Sequence, residues 1–162
     1  MKMKTLQDLF VDTLKDTYDA EHQITKALPK MVKAASTPEL KMAFEQHLQQ
    51  TDEHIKRLEQ VFDGMGKKAT RKSCAGMKGL IEEGSELMKE DAEPDVLDAG
   101  LIAAAQKVEH YEIAAYGTLS AYANLLGESN AARLFHETME EEKQTDEKLT
   151  KLAERSVNIE AV

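Results

Sequence analysis

Reactive side chains in this chain are concentrated where a helical core should be apolar. At the alternating three- and four-residue spacing of one helix face, four segments carry an apolar stripe that turns polar near its middle. The first reads Phe10, Leu14, Thr17, Glu21, Ile24, Leu28, and the second Leu40, Phe44, His47, Thr51, His54, Leu58. The third reads Leu101, Ala105, Val108, Glu112, Ala115, Leu119, with Glu109 one turn from Glu112. The fourth reads Phe135, Met139, Glu142, Asp146, Leu149, Leu152. Each uncompensated ion in such a layer costs several kcal/mol to bury. Shared protons, bases such as Arg57 or Lys143, or bound cations would relieve that cost. Hard divalent or trivalent metals prefer carboxylate oxygen, and iron or manganese accepts imidazole beside it. Two glutamates with Glu-x-x-His pairs form a recurrent dinuclear centre of helical bundles. The competing explanation puts these residues on helix flanks, as ordinary surface salt bridges.

The elements that must position them are legible from caps and breakers. A first helix starts near Thr5, and Pro29 inside it predicts a kink near Thr25. Thr37, Pro38 and Glu39 form a start signal for a second helix, which ends at Gly64 or Gly66. Pro94 opens a third that closes at Gly127, and a fourth begins near Ser129, with a tail expected to fray after Arg155. The approximate spans are 5–35, 38–63, 95–126 and 129–155, read as a single domain over 1–162. Segment 64–94 is a crossover with a basic stretch from Lys67 to Lys72 and a short amphipathic piece from Met77 to Met88. Tight turns make each flanking pair an antiparallel hairpin, and the crossover is long enough to span a bundle. The expected class is therefore all-α, a ferritin-like antiparallel four-helix bundle with one long crossover carrying a short extra helix. An up-down-up-down bundle is the competitor.

Depth offers an independent check, because residues equidistant from a hairpin turn share a level. Glu21 falls near Asp52, between Gln50 and His54; Glu112 lies opposite Glu142 to Gln144, and Glu109 opposite Asp146. Both hairpins thus bring their polar interruptions to mid-bundle. His47, two turns before His54, reads first as a satisfied core histidine and second as an additional ligand or a partner behind the ligands.

Composition narrows the classes. The chain has 162 residues, 30 acidic against 21 basic, a net charge of -9, and a single cysteine, Cys74. The negative charge disfavours nucleic acid and anionic lipid as partners. The lone cysteine excludes a disulfide framework and suits a reducing cytoplasm. No segment approaches the ~20 apolar residues of a membrane span.

The segments DTYDAEHQITKALPKM, HLQQTDEHIKRLEQVF, GLIEEG, LIAAAQKVEHYEIAAYGTL and EEEKQTDEKL together resemble the YciE/YciF family of ferritin-like bacterial stress proteins, over essentially the whole chain. The resemblance implies a homodimer and a dinuclear site related to that of rubrerythrins. It assigns Glu21 as the first-helix ligand, His54 as the histidine of a Glu-x-x-His motif, Glu109 and Glu112 as third-helix carboxylates, and Glu142 as the fourth-helix glutamate. Asp146 is expected to help. Gln50 stands where relatives carry Glu, and Thr145 and Asp146 occupy the turn where a histidine is expected, so one carboxylate and one imidazole depart from the pattern. Two functions follow: a metal-binding stress protein holding iron, as a di-iron pair, or manganese, with reactivity toward oxygen or peroxide if it is catalytic; or a non-enzymatic dimeric interaction protein with a degenerate site.

Overall fold

A computed structural model describes residues 3–162, all of whose regular structure is helical. Helix α1 spans Leu6–Ala34. Its cap is reciprocal: the Asp8 amide donates to the Thr5 hydroxyl at 3.1 Å, and the Thr5 amide donates to the Asp8 carboxylate at 3.0 Å. Helix α2 spans Pro38–Gly64, α3 Ala75–Leu87, α4 Pro94–Leu125 and α5 Ser129–Leu152. Proline at the start of α2 and α4 loses no hydrogen bond there. Gly66 (φ 65°) and Gly127 (φ 77°) supply the left-handed turns that end α2 and α4. The following amides, of Lys67 and Glu128, donate back to Phe62 and Ala123, each at 2.9 Å.

Helix α1 continues through Pro29 to Ala34. One expectation needs correction: the tail does not fray after Arg155, because α5 passes through a wide turn at Ala153–Val157 into a last helical turn, α6, at Asn158–Glu160. Ala153 and Val157 are buried in the core, and that anchorage holds the chain helical past Arg155.

Side-chain contacts fix the helix directions. Ser36 meets Asp98 and Glu21 meets Tyr116, so α1 and α4 are antiparallel. Arg57 meets Thr138 and Gln50 meets Thr145, so α2 and α5 are too. Ser120 with Ala132 and Gln106 with Asp146 give the same for α4 and α5. His47 shares a level with Glu109, and His54 with Tyr116, so α2 and α4 run parallel. Helix α1 packs on α2 and α4, and α5 on the same two. An up-down-up-down path would make α2 and α4 antiparallel neighbours, so the chain takes the crossover route.

The core is divided by its polar layer. One apolar cluster gathers around Ile24, Leu28, Leu40, Phe44, Leu101 and Ile102. The other gathers around Phe10, Leu14, Leu58, Phe62, Leu119 and Phe135. Between them lie the buried polar residues of all four long helices.

One buried acid has a purely architectural place. Asp98 accepts from the Ser36 amide at 2.8 Å, the Ser36 hydroxyl at 2.9 Å, the Thr37 amide at 2.7 Å and the Thr37 hydroxyl. It thereby ties the turn between α1 and α2 to the first turns of α4.

Candidate metal centre

Four helices each lower one or two polar side chains into the layer. His47, Glu109, Glu112 and Glu142 form one group and Glu21, His54 and Glu112 another; within each, one candidate ligand atom per residue lies within 4.8 Å of the others. Glu112 belongs to both. None of the six side-chain-bearing residues Glu21, His47, His54, Glu109, Glu112 and Glu142 is more than 2% exposed. His47 Nδ1 lies 3.0 Å from Glu109, and its Nε2 lies 3.6 Å from Glu142 and 3.8 Å from Glu112. His54 Nδ1 lies 3.0 Å from Glu142 and 3.4 Å from Glu21.

These approaches do not satisfy the groups. Both oxygens of Glu109, Glu112 and Glu142, together with Glu21 Oε2, His47 Nε2 and His54 Nδ1, have no hydrogen-bond partner within the protein. Folded proteins leave only a few such groups per 100 residues, and nine such atoms in one layer call for a ligand that takes many lone pairs at once. Four carboxylates and two imidazoles are an oxygen- and nitrogen-donor set suited to hard or borderline cations of the iron and manganese type. If all four carboxylates are ionised and both imidazoles neutral, the set's charge balances two divalent ions.

Protons hold the layer together otherwise. Burial pulls the His47 imidazole down, but the flanking Glu109 and Glu142 more than reverse this and lift its pKa to about 10. Burial acts the same way on His54, and Glu141, Glu142 and Glu21 lift it to about 12. Burial and carboxylate repulsion raise Glu112 well above the usual carboxylate range; burial also raises Glu109, His47 only partly opposing it. Glu142, between both imidazoles, is held low despite its burial.

Behind the six stand residues that orient them. His54 presents Nδ1 to the cluster while Nε2 meets Glu141 at 2.8 Å. Glu141 in turn accepts two Arg57 hydrogen bonds, at 2.7 and 2.8 Å. Burial raises the Glu141 pKa, but His54 and Arg57 outweigh it and hold it at about 2. This carboxylate–imidazole relay fixes the tautomer and the ring plane of a metal-binding histidine. On the other side, the buried Tyr116 hydroxyl donates to Glu21 Oε1, and Oε2 is buried without a partner.

The candidate residues divide accordingly. Glu21, His54, Glu109, Glu112 and Glu142 come together, and so does His47, whose first reading as a satisfied core histidine fails because Nε2 is unpartnered. Asp146 joins neither group. Thr145 takes the inward position on that turn, and Asp146 lies toward α4, with Oδ2 3.2 Å from the exposed His110. Gln50 is half-buried and accepts from Thr145 at 3.1 Å, so the two departures from the family pattern bond to each other. Thr51 turns its hydroxyl back to the His47 carbonyl at 2.8 Å. The bases suggested as partners also sit elsewhere: Arg57 pairs with Glu141, and Lys143 with Glu140 at the surface. Glu141 escaped sequence reading because it lies off the apolar stripe; the available signal was Arg57 one turn after His54, which needs an anion between α2 and α5.

Residues 5–162 match the family described as a domain of unknown function, DUF892. Protein YciF of Escherichia coli K12 is 51% identical over 159 residues, covering 98% of this chain and 96% of the relative. The crystal structure of the E. coli stress protein YciF superposes with a TM-score of 0.93 at 51% identity, over 96% of this chain and 99% of that one. YcfI from Rhodopseudomonas palustris, whose description proposes a structural role, gives a TM-score of 0.90 at 44% identity, over 92% of this chain and 95% of that one. Likeness of this extent in sequence and fold makes the chain a member of the DUF892 family, to which the bacterial stress protein YciF belongs.

Proposed function

We propose that this is a ferritin-like stress protein whose buried layer holds a carboxylate-bridged pair of iron or manganese ions and reacts with oxygen or peroxide. The observation that carries this is the set of unpartnered buried donors on Glu21, His47, His54, Glu109, Glu112 and Glu142. A bound redox-active pair would supply electron transfer to a small oxidant. The chain's own contribution is placement. Glu112, common to both groups, would be shared between the ions, Glu141 steers His54, Tyr116 steers Glu21, and apolar clusters flank the layer on both sides. Glu21, His54, Glu109, Glu112 and Glu142 carry over from the family resemblance; His47 supplies a second imidazole where Thr145 stands in place of the expected histidine, and Asp146 is dropped from the proposed set.

Anaerobic loading with ferrous iron, followed by peroxide in a stopped-flow spectrometer, tests the activity. Iron oxidation is expected to outpace that of free iron and to return to the free rate in His54→Ala. No acceleration in fully loaded protein would favour the non-enzymatic alternative, a structural or interaction protein, which the Gln50–Thr145 pair and the description of YcfI support. The same proposal includes a homodimer and a cytoplasmic setting. Among the described residues no helix is long and apolar enough to cross a membrane.

Two expected results arise here. Replacing Glu141 with Ala frees His54 to rotate and should weaken metal binding ~10–100-fold, measured by competition with a chelator. Metal binding must also displace protons held in the layer, those on His47 and His54 among them. Affinity should therefore rise with pH, and calorimetric heats should scale with the ionisation enthalpy of the buffer.

A further inference from the structure

A cleft of about 250 Å³ opens between α1, α3 and α4 and ends on His47 and Glu109. Its walls are apolar, among them Ile24, Met31, Ile81, Met88, Ala105 and Val108. Its border carries Lys26 and Lys30, one turn apart on α1 and both exposed. In a chain of net charge -9, neither lysine makes an ion pair among the described residues. His47 and Glu109 at its inner end also belong to the polar layer, where His47 Nε2 and both Glu109 oxygens are buried and unpartnered. The volume exceeds the ~150 Å³ of a cavity that accepts benzene and approaches the ~300 Å³ of small-ligand pockets.

We propose that this cleft binds a free medium-chain carboxylate of roughly six to eight carbons. The carboxylate pairs with Lys26 and Lys30 at the mouth, and the hydrocarbon tail fills the apolar walls with its terminal methyl toward His47 and Glu109. The opposite orientation would strip the carboxylate of water between apolar walls and leave both lysines without an anion. This binding does not depend on the metal centre proposed above.

The test uses full-length protein stripped of metal with chelator, so that failure of the metal centre leaves it intact. Octanoate, titrated calorimetrically, should saturate at one per chain. Affinity should rise about fourfold per methylene from hexanoate to octanoate, as burial of each group predicts. Lys26→Glu with Lys30→Glu should weaken octanoate at least tenfold while changing octanol less than twofold. Ala27→Phe, within the wall, should abolish both. Nuclear Overhauser contacts should join the terminal methyl to Ala105 or Val108 and the α-methylene to the lysines. Absence of saturable binding, indifference to the charge reversal, or a terminal methyl found at the lysines would each overturn the proposal. Because the charge reversal lies at the surface, it remains informative even if Ala27→Phe fails to fold.

Discussion

Glu112→Met is expected to lower metal binding from two equivalents per chain to one or fewer, while leaving the metal-free protein at least as stable as the wild type. Glu112 is the residue common to both ligand groups. In the metal-free protein it is a buried acid whose pKa burial has raised, and neither oxygen has a partner. Such a group costs about 1–3 kcal/mol relative to a satisfied or apolar one. Methionine fills a similar volume without that cost, so the chelated variant should melt higher by about 2–10 °C. Added manganese should raise the melting temperature of the wild type and scarcely move the variant, since stabilisation requires binding to the native state. Differential scanning calorimetry with and without metal reads both effects. A residue retained only for packing would give the opposite pattern, with lower stability and no change in metal response.

The second large effect is on folding alone. Asp98→Ala removes four hydrogen bonds to a buried carboxylate, those from the amides and hydroxyls of exposed Ser36 and half-buried Thr37. The expected loss is about 3 kcal/mol or more, or on the order of 10 °C in melting temperature, with metal stoichiometry unchanged. Burial alone would raise the Asp98 pKa, but donors from Thr37 and Ser36 outweigh it and lower it. A carboxylate depressed on folding contributes stability above its unfolded pKa near 3.9 and loses it as pH falls through the folded value. The stability gap between wild type and Asp98→Ala should therefore be full at neutral pH and narrow below about pH 4. Chemical denaturation across that range measures it.

Much of this was legible because helices write their buried face into the sequence. The stripes placed Glu21, His54, Glu112 and Glu142 inward, and hairpin arithmetic placed them at one depth. The same rule misplaced Asp146. A four-residue step from Glu142 keeps to one face only on average, and the three-residue step to Thr145 is the one that points inward. His47 shows another limit. Its stripe position was clear, but satisfaction depends on what α4 brings opposite, and a single helix does not contain that information. Gln50 and Thr145 each looked like a lost ligand; that they bond to each other across α2 and α5 is visible only in the structure. The persistence of helix beyond Arg155 was hidden because Ala153 and Val157 are too few to make a periodic pattern.

The central claim is that one buried layer holds two metal ions bridged by Glu112. Crystals of protein loaded anaerobically with manganese, measured on both sides of the manganese absorption edge, test it most directly. The expected map has two anomalous peaks about 3.5–4 Å apart on either side of Glu112, one against His47 and the other against His54. A map from fully loaded crystals with no peak in this layer, or with manganese only on surface carboxylates such as Glu83 and Glu147, would contradict it.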